Sequence, residues 1–382
     1  MKEKVKVLHI INGPSGTLGG VERFLLTQYR HMDREKLRFD FAFTRMDTMG
    51  LVKDDPELEG SRYYPTHALD KRFKLQKILC LYRSLLALIR GNCYDVVHVD
   101  SGSLVIEVIC IAAAKRGRVP CIIAHSHNAD PIHKDKVQKK SPISARLQRY
   151  VAKNADHLLA CSEAAGRALY GDEVKSSKYR LVKNGIVCSE FSFSEAVRKS
   201  FRSQHGAEGK TVFLSVGRFS MQKNPLFLLE IFSEIRKRTD NAVLWMVGGG
   251  ELHREVLEKI RSLGIEKDVV LWGERNDVPQ LMQAADCLLF PSLFEGLSVV
   301  AIEAQTADLP VFASDSISPE HKITESFFFL PLEIGAAAWA ERVCSTLPGL
   351  PPRGDTSALL AAAGYAAEIT AKELEKIYLG AE

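Results

Sequence analysis

Several familiar chemistries have no footing in this 382-residue chain. Its eight cysteines, at positions 80, 93, 110, 121, 161, 188, 287 and 344, never fall as C-x-x-C. That excludes zinc-ribbon and thioredoxin-type spacing and gives no disulfide framework, so they read as buried free thiols of a reducing compartment. Long apolar runs are absent too: the most apolar window, Leu104 to Ala114, contains Glu107 and is too short to span a bilayer. The opening MKEKVKVLHIING alternates like a strand and lacks the apolar core and cleavage site of a secretory signal. Charge of one sign is scarce, since 51 basic against 47 acidic residues leave a net +4, too little to argue for nucleic acid as a partner. No D-x-D motif follows a strand, and Asp54-Asp55 lies in an unpatterned acidic stretch, so no metal site is expected. The expectation is a cytoplasmic protein that is soluble or at most peripheral to a membrane.

What is present is alternation. Short β-rich runs (VKVLHII, DVVHV, CIIAHSH, HLLAC) are interleaved with amphipathic stretches (VERFLLTQYRHM, SLVIEVICIAAAKR, SEAAGRALYG), the pattern of a parallel sheet covered by helices. A second cycle begins at TVFLSVG and runs through AVLWMVGG, DVVLWG and DCLLFPS. The length suits two domains of about 180 residues each. We place them at 1–188 and 211–362, joined by a linker at 189–210 where no apolar period is sustained, with a terminal helix at 363–382.

Two sets of side chains suggest a pocket. Arg218 and Lys223, in SVGRFSMQKN, follow an apolar strand-like run. Glu295 and Glu303, in FEGLSVVAIEAQ, follow CLLFPS. Ligands of open α/β sheets bind beyond the carboxyl ends of strands, and a cation pair with a carboxylate pair suits a ligand that is part phosphate and part polyhydroxyl. Surface charges on a turn, or an acidic helix start, are the plainer readings; they account for Glu295 but not for Glu303 among apolar neighbours. Gly13, Gly16, Gly19 and Gly20 precede a helix, where free N–H groups can meet a phosphate, but their spacing misses the dinucleotide fingerprint and a plain loop is the alternative. His125 and His127, in AHSHN, share one face of a strand; a zinc pair is one reading, yet no third ligand at a sensible spacing is evident.

In the order VGRFSMQKNP, MVGGGEL and FPSLFEGLSVVAIEAQ, the second half resembles retaining glycosyltransferases of family 4, and SLFEGLSVVAIEAQ is similar to their capsular and exopolysaccharide branch. GGVERFLL, DVVHVDS, AHSHN, ACSEAAG and VKNGI extend the resemblance through the first half. It implies the GT-B fold, two Rossmann-like parallel-sheet domains facing a cleft: an acceptor-binding domain, then a nucleotide-sugar-binding domain, with the last helix returning to the first. It implies a hexosyltransferase-type enzyme, metal-independent and retaining, without a cofactor and with a nucleotide-sugar donor. Arg218 and Lys223 would meet the departing diphosphate, where fixed cations stabilise growing negative charge. Glu295 would hold hydroxyls of the donor sugar and Glu303 the ribose diol, while the backbone of Gly296, Leu297, Ser298 and Val299 meets diphosphate or sugar. Gly19 and Gly20 would close on the donor phosphates, Gly249 would belong to the donor site, and His127 would lie beneath the transferred sugar. UDP is the expected nucleotide, its base read largely through backbone near Glu274, Arg275 and Asn276.

The expected acceptor is a glycan or lipid-linked glycan of surface-polysaccharide synthesis. A basic segment, with Lys134, Lys136, Lys139, Lys140, Arg146, Arg149 and Lys153, can lie on an anionic membrane, meet a phosphate-bearing acceptor, or simply be solvated. Departures from the family pattern are Val187-Cys188 after NGI, Asp308 in place of a small Gly, and Asp100 where His is frequent. The rival functions are a nucleotide-sugar epimerase on the same fold and a non-catalytic nucleotide-sugar-binding homologue; the failed glycine fingerprint makes an NAD-dependent dehydrogenase the weakest.

Overall fold

The computed structural model describes residues 4–11, 20–44, 60–66, 74–101, 103–127 and 142–381. It divides into two compact units, Met1–Ile186 with Ala367–Glu382, and Val187–Ala366.

In the first unit seven parallel strands form a sheet in the order β3-β2-β1-β4-β5-β6-β7. They are β1 (Val5–Ile11), β2 (Leu37–Phe43), β3 (Tyr63–Pro65), β4 (Val96–Asp100), β5 (Cys121–Ser126), β6 (His157–Ala160) and β7 (Tyr179–Leu181). Every residue of β4 is buried, as expected of a strand covered on both faces. Because side chains alternate across a strand, one parity faces each helix layer. Leu8, Ile10, Val97 and Val99 pack with α2 (Lys74–Asn92), α3 (Leu104–Gly117) and α4 (Pro142–Asn154). Val7, Ile11, Val96 and Ile123 pack with α1 (Gly20–Arg30) and the last helix, α14 (Ala367–Leu379). That helix contributes Ala371, Leu374, Ile377 and Tyr378 to the core, whereas Ile369, on the same apolar spacing, is 49% exposed. A further helix, α5 (Glu163–Tyr170), is capped by Ser162, whose hydroxyl accepts from the Ala165 N–H.

The second unit repeats the plan with six parallel strands in the order β10-β9-β8-β11-β12-β13. These are β8 (Thr211–Val216), β9 (Ala242–Val247), β10 (Val269–Gly273), β11 (Cys287–Phe290), β12 (Val311–Ser314) and β13 (Phe327–Leu330). Around them lie α6 (Cys188–Phe191), α7 (Glu195–Gln204), α8 (Pro225–Arg236), α9 (His253–Leu263), α10 (Val278–Ala284), α11 (Val299–Thr306), α12 (Gly335–Thr346) and α13 (Ser357–Ala362). The stretch 189–210, read from sequence as the linker, carries α7. The only buried residue of α7 is Phe201, and the helix is anchored by charge: Arg198 and Arg202 both donate to the Asp286 carboxylate and to the Ala284 carbonyl.

In each sheet the strand order reverses once, between β1 and β4 and again between β8 and β11. Such switch points are where α/β sheets open a crevice at the carboxyl ends of their strands.

Candidate functional site

At the second unit's switch point, β8 runs into Gly217 and Arg218, and β11 runs into Pro291 and Ser292. Gly217, Arg218, Lys223, Phe290 and Ser292 line one crevice there. Its shape depends on glycine. Gly248 has φ +123°, and a Cβ there would stand 2.2 Å from the Gly217 carbonyl oxygen; Gly250 has φ +150°, and its Cβ would meet Arg218 Cγ at 2.8 Å. Gly249 lies between them, its carbonyl accepting from the Phe219 N–H at 2.7 Å, with open space where a side chain would be.

Lys223 Nζ donates to Glu295 Oε1 at 2.6 Å and stands 4.9 Å from the Phe290 ring centroid. Gln222 donates from Nε2 to the Phe294 carbonyl at 3.0 Å and to Glu295 Oε2 at 3.3 Å, so a short 3₁₀ turn, Met221–Lys223, sets the carboxylate from two sides. Glu295 is thereby kept at 9% exposure with both oxygens bonded. Leu297 and Ser298 are buried, Gly296 and Val299 half-buried. The Ser298 N–H, at the start of α11, donates to His321 Nε2 at 3.0 Å, while His321 Nδ1 donates to the Ser318 carbonyl at 2.8 Å. Burial lowers the His321 pKa below its ordinary value, which keeps Nε2 an acceptor. Gln305 fixes the same loop, donating to the His321 carbonyl and accepting from the Ile323 and Thr324 N–H groups. Glu303, on α11, is 8% exposed.

The structure thus brings Arg218, Lys223, Gly249, Glu295 and the start of α11 into one neighbourhood of this unit. Arg275 is engaged locally: it forms a bidentate pair with Asp277 and lies over the Trp272 ring, and Asn276 beside it is exposed. Gln222, His321 and Gln305 were not anticipated. No spacing in the sequence links His321 to Ser298.

His127 belongs to the other unit and its switch point. The alternation that buries Val7 and Val96 on one face also places His9, His98, Asp100, His125 and His127 on that face, at the carboxyl ends of β1, β4 and β5. His9 donates from Nδ1 to Asp100 Oδ2 at 2.8 Å, and His127 from Nε2 to Asp100 Oδ1 at 3.1 Å. His98 Nε2 and His125 Nδ1 share a proton across 3.1 Å, and His98 Nδ1 meets the Tyr378 hydroxyl at 2.7 Å. Burial drives the His98 pKa down to about 3 and that of His125 well below its ordinary value. Burial acts to raise the Asp100 pKa, but the facing imidazoles of His98 and His9 outweigh it and hold the carboxyl well below its usual range. The H-x-H pair, for which the sequence offers no third ligand, therefore has close neighbours on β4: Asp100 and His98. Period-two spacing on two strands was the available signal, but adjacency of those strands was not readable from it. Gly20 opens α1; Gly19, like Gly13, Gly16 and the 134–140 part of the basic segment, lies outside the described residues.

Comparison with known proteins assigns the chain. Residues 18–190 match the family model described as Glycosyltransferase Family 4, and residues 197–344 match that described as Glycosyl transferases group 1. EpsF of Bacillus subtilis is 29% identical over 381 residues, covering 98% of this chain and 96% of that protein. The Escherichia coli UDP-Gal:alpha-D-GlcNAc-diphosphoundecaprenol alpha-1,3-galactosyltransferase is 27% identical over 322 residues, 82% of this chain and 80% of the enzyme. The crystal structure of Anabaena HepE in complex with UDP superposes with a TM-score of 0.76 at 17% identity, over 99% of this chain and 100% of that one. With both halves matched in sequence and the fold shared along the whole length, the chain belongs to family 4 of the GT-B glycosyltransferases.

Proposed function

We propose that this glycosyltransferase moves a hexose from a UDP-sugar to a hydroxyl of a lipid-linked glycan with retention at the anomeric carbon. The observation that carries the reading is the Lys223–Glu295 pair beside Arg218 at a strand-end switch point, a cation set next to a buried carboxylate. Arg218 and Lys223 hold the diphosphate. As the bond from anomeric carbon to phosphate oxygen breaks, they meet the charge that grows on the leaving group. Glu295 accepts from hydroxyls of the donor sugar and Glu303 from the ribose diol. Arg275 and Asn276 lie along the base, and Gly19, Gly20 and the backbone from Gly296 to Val299 approach the phosphates. His127 contacts the transferred sugar. The acceptor oxygen attacks on the face the phosphate leaves, and the phosphate takes the acceptor's proton. The two cations supply the charge that a divalent metal supplies elsewhere. The UDP in the HepE crystal and the diphosphoundecaprenol acceptor in the E. coli enzyme's name support donor and acceptor class.

A surface for the lipid-bearing side exists on the first unit. No Asp or Glu occurs in α2 or α4, and the only one in α3, Glu107, is buried. Arg83, Arg146 and Arg149 are exposed there, and so are Leu75, Leu79, Val105 and Ile143 in the early turns of those three neighbouring helices. In this reading that face meets an anionic bilayer from one side, and its exposed arginines beside exposed apolar side chains are what support it; among the described residues no helix is long and apolar enough to cross a membrane.

The test is thermal stability with UDP-, GDP-, ADP- and TDP-sugars, with and without EDTA. A UDP-sugar at 100 times its dissociation constant should add about 2.7 kcal/mol, with EDTA making no difference. A shift with another nucleotide alone, or none at all, overturns the donor assignment. NMR of the anomeric configuration in product then decides retention.

A further inference from the structure

We propose that Arg353 is a positioning residue for the donor nucleoside, because it ties together the far ends of α10 and α11, the two helices that carry the base loop and Glu303. The inference rests on the placement of base and ribose proposed above. Arg275 and Asn276 immediately precede Asp277, at the start of α10, and Glu303 stands on α11. The nucleoside therefore spans two separate helices, and its fit depends on how they are set against each other.

Among the described residues the Arg353 guanidinium donates to main-chain carbonyls alone. Nη1 reaches the Gln283 carbonyl at 3.0 Å and the Ala285 carbonyl at 2.8 Å, and Nη2 reaches that of Met282 at 3.0 Å, all at the end of α10. Nε donates to the Ala307 carbonyl at 3.1 Å, just past the end of α11, and Nη2 bonds the same oxygen. One planar fork thus bridges two helix ends whose last carbonyls have no partner within their helices. Capping alone does not require this, since Arg198 and Arg202 already hold the Ala284 carbonyl of α10. The residues after Arg353 grip α11 further. Thr356 Oγ1 donates to the Gln305 carbonyl at 2.6 Å and to that of Thr306 at 3.1 Å, and the Gly354 N–H donates to Asp308 Oδ2 at 2.7 Å. Asp308 has φ +47°, a conformation that favours glycine, and this bond is what its side chain gains there. The Arg353 guanidinium carbon lies 4.3 Å over the centroid of the Phe193 ring, which covers one face of the fork. At 1.5 Å per residue the two helices set Arg353 about 10–12 Å from their starts, so it acts on the donor only through them. The start of α11 is held independently by the bond from the Ser298 N–H to His321. The tie at the far end therefore governs α10 against α11, not the diphosphate side.

Calorimetry on the full-length protein tests this, with the nucleoside diphosphate that the wild type binds, expected to be UDP, with its nucleoside and with pyrophosphate. Arg353→Lys keeps the charge and loses the fork. It should weaken nucleoside and nucleoside diphosphate by one common factor, about 2–30-fold, and leave pyrophosphate unchanged. In turnover the donor KM should rise by that factor with kcat kept, since nucleoside contacts are alike in ground and transition states. Thr356→Val removes only the hydroxyl bonds to α11 and should shift the same two affinities in the same direction; it carries the test if Arg353→Lys does not fold. Unchanged nucleoside affinity in the folded variants overturns the inference and leaves the donor reading standing. A fall in kcat at constant KM, or a loss shared by pyrophosphate, overturns it too, because that is the pattern of general loosening. A wild type that binds no nucleoside diphosphate overturns the donor reading itself, and this inference with it.

Discussion

Lys223 and Glu295, 72 positions apart in sequence, are joined by a 2.6 Å hydrogen bond, so a cation proposed for the leaving phosphate and a carboxylate proposed for the sugar are neutralised by each other. Lys223 is 21% exposed at its side chain and Glu295 only 6%. Removing the lysine therefore has two separable effects. Lys223→Ala should lower turnover by about 10²–10³-fold through loss of charge stabilisation, as should Arg218→Ala. It should also lower the melting temperature, because a buried carboxylate left short of a partner costs about 1–3 kcal/mol. The double variant Lys223→Ala/Glu295→Gln should recover much of that stability and none of the turnover. Near-normal turnover in either single cation variant would refute their placement at the leaving group.

The glycine turn at the ends of β8 and β9 offers a contrast between neighbours. Gly248→Ala sets a methyl 2.2 Å from the Gly217 oxygen at a φ of +123°. Backbone strain alone should cost about 1–3 kcal/mol, visible in chemical denaturation. Gly249→Ala meets no atom within 4 Å and has no positive φ, so it should leave stability within about 0.5 kcal/mol. If a donor phosphate or sugar packs on that backbone, the same methyl weakens donor binding. Unchanged donor affinity in Gly249→Ala would remove Gly249 from the donor site.

How much of this was readable from sequence follows from what each element uses to hold itself. Parallel strands buried on both faces read as apolar runs, and both cycles of β and α were visible for that reason. Helix α7 was not, because it is fastened by Arg198 and Arg202 to Asp286, a polar anchor 84 to 88 residues away that leaves no apolar stripe. Arg218, Lys223 and Glu295 stood out because charge directly after an apolar strand is informative. Their pairing was hidden by chain separation, and so was the role of Gln222. Asp100 registered only as a departure from the family pattern; its meaning lies in three strands whose order the sequence does not state.

His321 gives the donor-side loop a pH dependence. Its folded pKa lies below the ordinary 6.5 because it is buried. Below pH 6.5 the unfolded chain binds a proton that the folded protein refuses, so stability is full above that value and is lost as pH falls toward the folded pKa. The slope from this one group is at most about 1.4 kcal/mol per pH unit. His321→Gln can still accept from Ser298 but does not titrate. Compared with wild type between pH 7.5 and 5.5, it should be less stable at the upper end and lose less on acidification. Parallel losses in the two proteins would show that His321 does not set the dependence.

The basic, partly apolar face of α2, α3 and α4 makes a different kind of prediction, since attraction to anionic lipid is screened by salt whereas insertion of Leu75 or Ile143 is not. Each Arg or Lys near an anionic surface adds about 1 kcal/mol. Arg146→Glu/Arg149→Glu should therefore reduce co-sedimentation with phosphatidylglycerol-containing vesicles by more than about tenfold, most at low salt. Ile143→Asp should reduce it at low and high salt alike. Leu359, 48% exposed on the second unit, is the control, and Leu359→Asp should change nothing. Equal binding to neutral vesicles, or binding indifferent to the arginine reversals, would mean that this face meets something other than an anionic bilayer. The basic residues would then fall to the acceptor's own phosphates, and a water-soluble diphosphate-linked acceptor should compete for them.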